Sequence, residues 1–324
     1  MEALKKYSLE QNIPYGLDYH SENASNLIKK IFNAENADVH YLAGGTQSNM
    51  VFISAALRPY EGVIACASGH INVHETAAIE GSGHKIYCLE GKNGKLYPED
   101  IRLALKNNYD EHMVKLKLVY ISNSTEIGTI YSKKELIDLH NVCKENDLYL
   151  FIDGARLGSA LTCKENDVDC SLLGSICDGF YVGGTKNGLL FGEALVILND
   201  NIKKDFRYHI KNKGAMLAKG YGLGIQFEEA FKDGLYFELA KHANEMAELI
   251  RNILKNFNIN LLDAPTNQIF ASLPKCKPNA LIDKFGLEKW SEKDESMTVR
   301  FVTSFATTNE DVDCLNDYLE ELFD

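Results

Sequence analysis

The sequence predicts an α/β protein, with a large unit on a mostly parallel sheet and a smaller α+β unit after it. Three observations carry the prediction. Between about residues 20 and 200, short apolar runs alternate with helical patterns, as strands joined by crossover helices do. After about residue 200 the pattern changes to long helices, one further strand and a closing helix. With 324 residues, 45% of them hydrophobic, and no low-complexity linker, the chain is long enough to bury a large continuous core.

Each element has a local cause. The glycines of GGTQSN, at 44–49, precede the helical run MVFISAAL. Pro98 opens a helix in which Ile101 and Leu105 lie one turn apart. YISN at 120–123, LYLFID at 148–153, DGFYVGG at 178–184 and EALVIL at 193–198 read as buried strands, each bounded by Gly, Asn or Asp. Ser132 and Glu135 form a capping box ahead of Leu136, Ile137, His140 and Cys143 at helical spacing. Residues 200–256 read as largely helical, followed by LLDAPTNQIFASLP and the strand MTVRFV. Thr308 and Asp311 cap a last helix whose Val312, Leu315, Leu319 and Leu322 share one face. The expected division is an arm over 1–19, a large domain over 20–235 and a small domain over 236–324.

Lys plus Arg is 34 and Asp plus Glu is 46, a net charge of −12. An acidic chain is poorly matched to nucleic acid or an anionic membrane, which need a basic face. The first residues, MEALKKYSLEQNIPYG, hold no apolar run, and no stretch is long enough to cross a bilayer. Eight cysteines without a C-x-x-C pair fit reduced thiols in the cytoplasm.

Four groups could carry chemistry, each with a plainer structural reading beside it. Gly45 and Thr46 at a helix start could cradle an anion or be a turn with an N-cap; the spacing fits neither the P-loop nor the dinucleotide fingerprint. Asp153, at the end of LYLFI, stands where parallel sheets place ligands, though a helix N-cap is equally ordinary there. Arg156 could be a simple ion-pair partner. Lys186 follows the next strand in GGTKNG; a crowded lysine becomes a nucleophile for carbonyls, whereas most lysines are surface groups. His70 and His74 could form a metal pair, but no third ligand is spaced to complete one, and no metal is expected. His70 could also stack on a flat cofactor.

Taken in order, GGTQSN, SGHINVHE, the strand ending in IDGAR, GGTKNG and TVRFV resemble the threonine aldolase family of pyridoxal phosphate (PLP) enzymes, which borders the β-eliminating lyases. The resemblance runs from about residue 10 to the end. It implies the aspartate-aminotransferase-like fold (PLP fold type I). It further implies that Gly45 and Thr46 bind the cofactor phosphate, that His70 stacks on the ring, that Asp153 pairs with the ring nitrogen, and that Lys186 forms the Schiff base. Arg156 and Arg300 would hold the substrate carboxylate. Lys211 and Lys219, in IKNKGAMLAKG, match a loop that helps bind phosphate, and Tyr15 matches a tyrosine near a neighbouring subunit's site. The implied reaction is retro-aldol cleavage of a β-hydroxy-α-amino acid such as L-threonine or L-allo-threonine, in a homodimer or homotetramer.

Glu126 stands where many family members have a histidine, and is a candidate base with His70 or a water. The family's further N-terminal segment has no counterpart before MEALKKYSLEQ. The alternatives are therefore β-elimination or transamination with the same Asp, Lys and Arg set, or a cofactor-binding homologue with weakened turnover. A dehydrogenase lacks support, because no glycine fingerprint is present.

Overall fold

The computed structural model describes residues 1–275 and 277–323. Seven strands form one sheet: β1 (Asp38–Leu42), β2 (Glu61–Cys66), β3 (Ile86–Leu89), β4 (Lys115–Ser122), β5 (Tyr149–Asp153), β6 (Gly179–Gly183) and β7 (Glu193–Ile197). Their spatial order is β1-β7-β6-β5-β4-β2-β3. All neighbours from β6 through β5, β4 and β2 to β3 are parallel, and β7 runs against both β6 and β1. The reversal at β7 has a local cause. Only the short loop 184–192 separates β6 from β7, too few residues for a crossover helix, so the chain must turn straight back.

Side chains alternate across this sheet with period two. Val119 and Ile121 of β4, Leu150 and Ile152 of β5, and Phe180 and Val182 of β6 enter the core on one face. Leu118, Tyr120, Phe151 and Tyr181 enter the core on the other, beneath the helix Gly45–Ala56. Asp153 has the same parity as Phe151, so it too faces that helix. Phe52 of the helix stacks on Phe151 with ring centroids 4.0 Å apart, and a Cβ at Gly179 would collide with Phe52. The helix therefore sits unusually close to the strand ends, with its first turn over β5 and β6.

The second sheet is antiparallel and contains β8 (Asn260–Leu261), β9 (Gln268–Pro274), β10 (Glu288–Glu292) and β11 (Ser296–Val302), in the order β10-β11-β9-β8. The helices Leu235–Asn256 and Asn309–Phe323 cover it, with Met297, Val299 and Phe301 pointing into this smaller core. Arg300 consequently lies on the opposite face, opposite Phe270 of β9 and Glu288 of β10. Buried hydrogen bonds tie the two sheets together: the Thr266 hydroxyl donates to the Gly128 carbonyl at 3.0 Å, and the Gln268 amide to the Thr125 carbonyl at 3.2 Å.

The expected caps are present. Ser132 and Glu135 form the capping box, and the Thr308 hydroxyl accepts from the Asp311 N–H. The seven cysteines among the described residues are free thiols, and Cys276 lies outside the described residues. No helix among the described residues is long and apolar enough to cross a membrane.

The tightest point of the fold is the turn after β5. A Cβ on Gly154 would collide with the Tyr181 carbonyl, and one on Gly183 with the Ala155 carbonyl. Both are backbone atoms in central strands or their turn and cannot step aside. Gly154→Ala is expected to lower the unfolding free energy by about 3 kcal/mol in urea melts, the upper end of ordinary overpacking. Gly81→Ala, where an added carbon meets nothing within 4 Å, is expected to stay within about 0.5 kcal/mol of the parent.

Candidate active site

Asp153 ends β5 as an almost fully buried carboxylate, 3% exposed. Such a group must be met by donors, and four converge on it. Oδ1 accepts from the Tyr181 hydroxyl at 2.5 Å and from the Ala155 N–H at 3.0 Å. Oδ2 accepts from the Tyr120 hydroxyl at 2.6 Å and from the Asn49 amide at 3.0 Å. The donors come from β6, β4, the helix Gly45–Ala56 and the turn itself. Burial and the adjacent Asp153 carboxylate push both phenols well above the ordinary tyrosine range, so at neutral pH they only donate.

Asn49 gives its second N–H to Glu75 Oε1 at 2.7 Å, and the same oxygen meets His70 Nδ1 at 2.7 Å. The hydrogen bond to Glu75 raises the His70 pKa against the opposing effect of burial. Glu126 holds the loop from the other side. Its Oε1 accepts from the His70 N–H at 2.9 Å and from the Ser122 hydroxyl at 2.6 Å, and burial raises its pKa.

The lysine loop is clamped onto this turn. The Gly184 N–H donates to Gly192 O at 3.0 Å and to Glu193 Oε2 at 2.9 Å, while the Gly192 N–H donates to the Thr185 hydroxyl at 2.9 Å. Lys186 stays open to solvent on one side. The protein crowding its amine, and next the positive charge of Arg156, lower its pKa, partly offset by Asp153 and Glu193. Desolvation pushes the buried Glu193 carboxyl up to about 7.

Arg156 and Arg300 lie within electrostatic reach of each other and of Lys186. Burial first, then Arg300, pull the Arg156 pKa down to about 10, so it stays cationic at neutral pH. Arg300 donates to Gln268 Oε1 at 3.2 Å, pairs with Glu288, and sits 5.1 Å from the Trp290 ring centroid. The Nε of each arginine is buried and has no hydrogen-bond partner among the described residues. Two unpaired cationic N–H groups near one lysine describe a place for an anion.

Gly44 has extended backbone and Gly45 opens the helix Gly45–Ala56, so the N–H groups of Gly45, Thr46 and Gln47 form its first turn. A Cβ on Gly45 would stand 2.9 Å from the Tyr181 hydroxyl; only glycine lets the helix start come this close to the Asp153 network. An anion beside that turn would meet free amides and the helix dipole.

Thus His70, Glu126, Asp153, Arg156, Lys186 and Arg300 meet in one charged cluster, with Gly45 and Thr46 at its edge. Tyr15, Lys211 and Lys219 do not join them within the single chain. The Lys211 amine lies 5.3 Å from the Tyr15 ring centroid, and the Tyr15 N–H donates to Ala218 O at 3.0 Å, next to Lys219. Tyr15 instead lines a separate cavity of about 340 Å³ with His40, Arg207 and Leu217. Sequence reading missed Asn49, Glu75, Tyr120, Tyr181, Glu193 and Gln268. Strand parity could have flagged the two tyrosines; the other four acquire meaning only through tertiary neighbours.

The family model for β-eliminating lyases matches residues 2–274. A low specificity L-threonine aldolase of Pseudomonas aeruginosa is 31% identical over 246 residues, 74% of this chain and 70% of that one. The chain belongs to the threonine aldolases of the β-eliminating lyase family. A second Pseudomonas low specificity L-threonine aldolase is 28% identical over 87% of this chain and 82% of its own. The structure of a Leishmania major threonine aldolase superposes with a TM-score of 0.98 at 44% identity, over 100% of this chain and 95% of that one. A Thermus thermophilus aspartate aminotransferase shares the fold, with a TM-score of 0.73 at 14% identity. As a family member the protein is a PLP-dependent lyase. The residues present fit that cofactor: a carboxylate ringed by donors, a lysine with a lowered pKa, a glycine-opened helix turn and two arginine Nε groups awaiting an anion.

Glu193 gives this site a pH signature. A carboxyl whose folded pKa is raised stabilises the fold below its unfolded value and loses that contribution as pH rises toward the folded value, about 7. Glu193→Gln is therefore expected to gain stability relative to the parent between pH 5 and pH 8, by as much as about 3 kcal/mol in paired urea melts. A difference that stays flat with pH contradicts the raised value.

Proposed function

We propose that this protein cleaves β-hydroxy-α-amino acids, L-threonine or L-allo-threonine among them, to glycine and an aldehyde. One observation carries the reading. Lys186 lies in the fields of Asp153 and of two arginines whose Nε groups lack partners. A small substrate carrying both an amine and a carboxylate matches that set. The solved L. major threonine aldolase and the Pseudomonas low specificity L-threonine aldolases support the same reaction class.

In this reading Lys186 would hold the cofactor aldehyde, and its lowered pKa favours the neutral amine that the linkage needs. Asp153 keeps a proton at the ring nitrogen. The first-turn amides of Gly45 and Thr46 would receive the phosphate, and the His70 imidazole would face the ring. Arg156 and Arg300 would fix the substrate carboxylate and so hold the bonds at Cα in one orientation. The cofactor, when bound, supplies an electron sink for the pair freed when one of those bonds breaks. His70 or Glu126 takes the proton of the substrate hydroxyl, and a proton returned to Cα completes glycine. Tyr15, Lys211 and Lys219 serve the site of a neighbouring copy in a cytoplasmic homodimer or homotetramer. The exposed Tyr15, Leu17 and Leu217, which line the Tyr15 cavity, support a covered face.

Incubation with L-threonine and PLP is expected to release acetaldehyde and glycine in equal amounts. Borohydride reduction followed by peptide mapping is expected to leave the cofactor on Lys186. Lys186→Ala should lose more than about a thousandfold in turnover, beyond the hundredfold typical of one proton-transfer group. Cofactor bound without aldehyde from any 3-hydroxy amino acid would sink the substrate assignment, and keto acid with ammonia would move it to β-elimination.

A further inference from the structure

We propose that Glu75 and Asn49 are positioning residues that fix the His70 ring with its Nδ1 protonated and its Nε2 free to take the substrate's hydroxyl proton. The inference deepens the function just proposed and rests on it. Its geometric basis is a chain of three bonds. The Glu75 side chain is fully buried, and its Oε1 accepts from His70 Nδ1 and from Asn49 Nδ2, both at 2.7 Å. The other Asn49 N–H goes to Asp153 Oδ2 at 3.0 Å. With both N–H groups committed to carboxylates, the amide cannot flip, because its oxygen would then face two anions.

Two details separate this from a purely structural contact. Glu75 Oε2 and Asn49 Oδ1 are buried without partners among the described residues. A contact selected for stability alone would not strand two acceptors, each of which costs about 1–3 kcal/mol. His70 Nε2, in contrast, has no partner among the described residues and is not sealed off, since the side chain is 31% exposed. A carboxylate on Nδ1 fixes the tautomer and raises the basicity of Nε2, the relation seen wherever a buried acid orients a histidine base. Glu126 commits its Oε1 to the His70 N–H and the Ser122 hydroxyl, and so also holds the His70 backbone in place.

The groups facing His70 are few. Glu75 and Asp153 favour its cationic form, Lys186 opposes it, and His74 lies with its ring centroid 5.4 Å away. In the step itself the hydroxyl proton passes to Nε2 and the Cα–Cβ pair stays on the glycine carbon. The oxygen keeps its electrons as the aldehyde carbonyl forms. The base works only when neutral, so activity falls as pH drops through the His70 pKa.

The test reads that pKa directly, by NMR of the His70 ring in the cofactor-loaded protein and again after cofactor removal, beside the pH profile of kcat/KM for threonine. Glu75→Gln is expected to move the ring titration and the acid limb of the profile down together by about one pH unit, the size of one charge-assisted hydrogen bond. Asn49→Leu removes a competing donor from Glu75 and from Asp153, so it should move both upward. If Glu75→Gln does not fold, Asn49→Leu reads the same relation with opposite sign. A His70 titration within about 0.2 pH units of the parent in the folded variants overturns the proposal. So does a ring titration that moves while the acid limb stays. The ring titration needs no turnover, so an absence of aldehyde in the parent protein would count against the function alone.

Discussion

Everything at this site hangs on one buried carboxylate. Asp153 is unaffordable in an apolar sheet unless donors surround it, and its four come from three strand or helix elements and its own turn. The requirement propagates outward. β4 and β6 must each place a tyrosine on the Asp153 face within reach of its carboxylate, Tyr120 opposite Phe151 on β4 and Tyr181 just after Phe180, the partner of Ile152, on β6. The helix Gly45–Ala56 must approach closely enough for Asn49 to reach, which the absence of a Cβ on Gly45 and Gly179 permits. The helix start and the Asp153 carboxylate are thereby coupled by packing, since one helix carries Thr46 and Asn49 three residues apart.

The same closeness explains the glycine-rich turns. Gly154 and Gly183 bring the chain after β5 against β6 at backbone distance, and the Gly184–Gly192 hydrogen bonds hold the lysine loop flat above it. A lysine on a looser hairpin would stand free of these charged neighbours. Here it meets Asp153, Glu193 and Arg156, and its pKa falls. The GGTKNG motif is thus less a recognition sequence than the record of a steric condition on where one amine can stand.

The sheet strands, the capping boxes and the placing of Asp153 and Lys186 just after neighbouring strands were legible because each has a local cause: apolar runs with turn residues, an S-x-x-E spacing, or polar groups at strand ends. The antiparallel return of β7 was equally implicit in the shortness of the loop before it. What stayed hidden depends on distant partners. Nothing near Asn49 in the chain says that its amide will lie between Glu75 and Asp153, 26 and 104 residues away. Gln268 is hidden for the same reason: its side chain donates to Thr125 O, beside Glu126, and accepts from Arg300. It thereby sets the reach of an arginine in the small sheet against a loop in the large one. Tyr15, Lys211 and Lys219 were singled out by resemblance; in a single chain Tyr15 lines a different cavity, with the Lys211 amine beside its ring and Lys219 next to the residue its backbone bonds.

Arg156 and Arg300 show how such a site chooses its ligand before any chemistry begins. Two guanidiniums within each other's field repel, and burial adds a desolvation cost that pulls the Arg156 pKa downward. Glu288 and Gln268 relieve only the outer nitrogens of Arg300, leaving one buried N–H on each arginine unmet. That residual cost is not a flaw in packing, because an apolar replacement would remove it along with the charge. In the function proposed above, it is the cost that a substrate carboxylate reaching both groups would relieve. A ligand without a carboxylate would leave that cost in place, so on this reading discrimination against it would come from the two unmet N–H groups themselves.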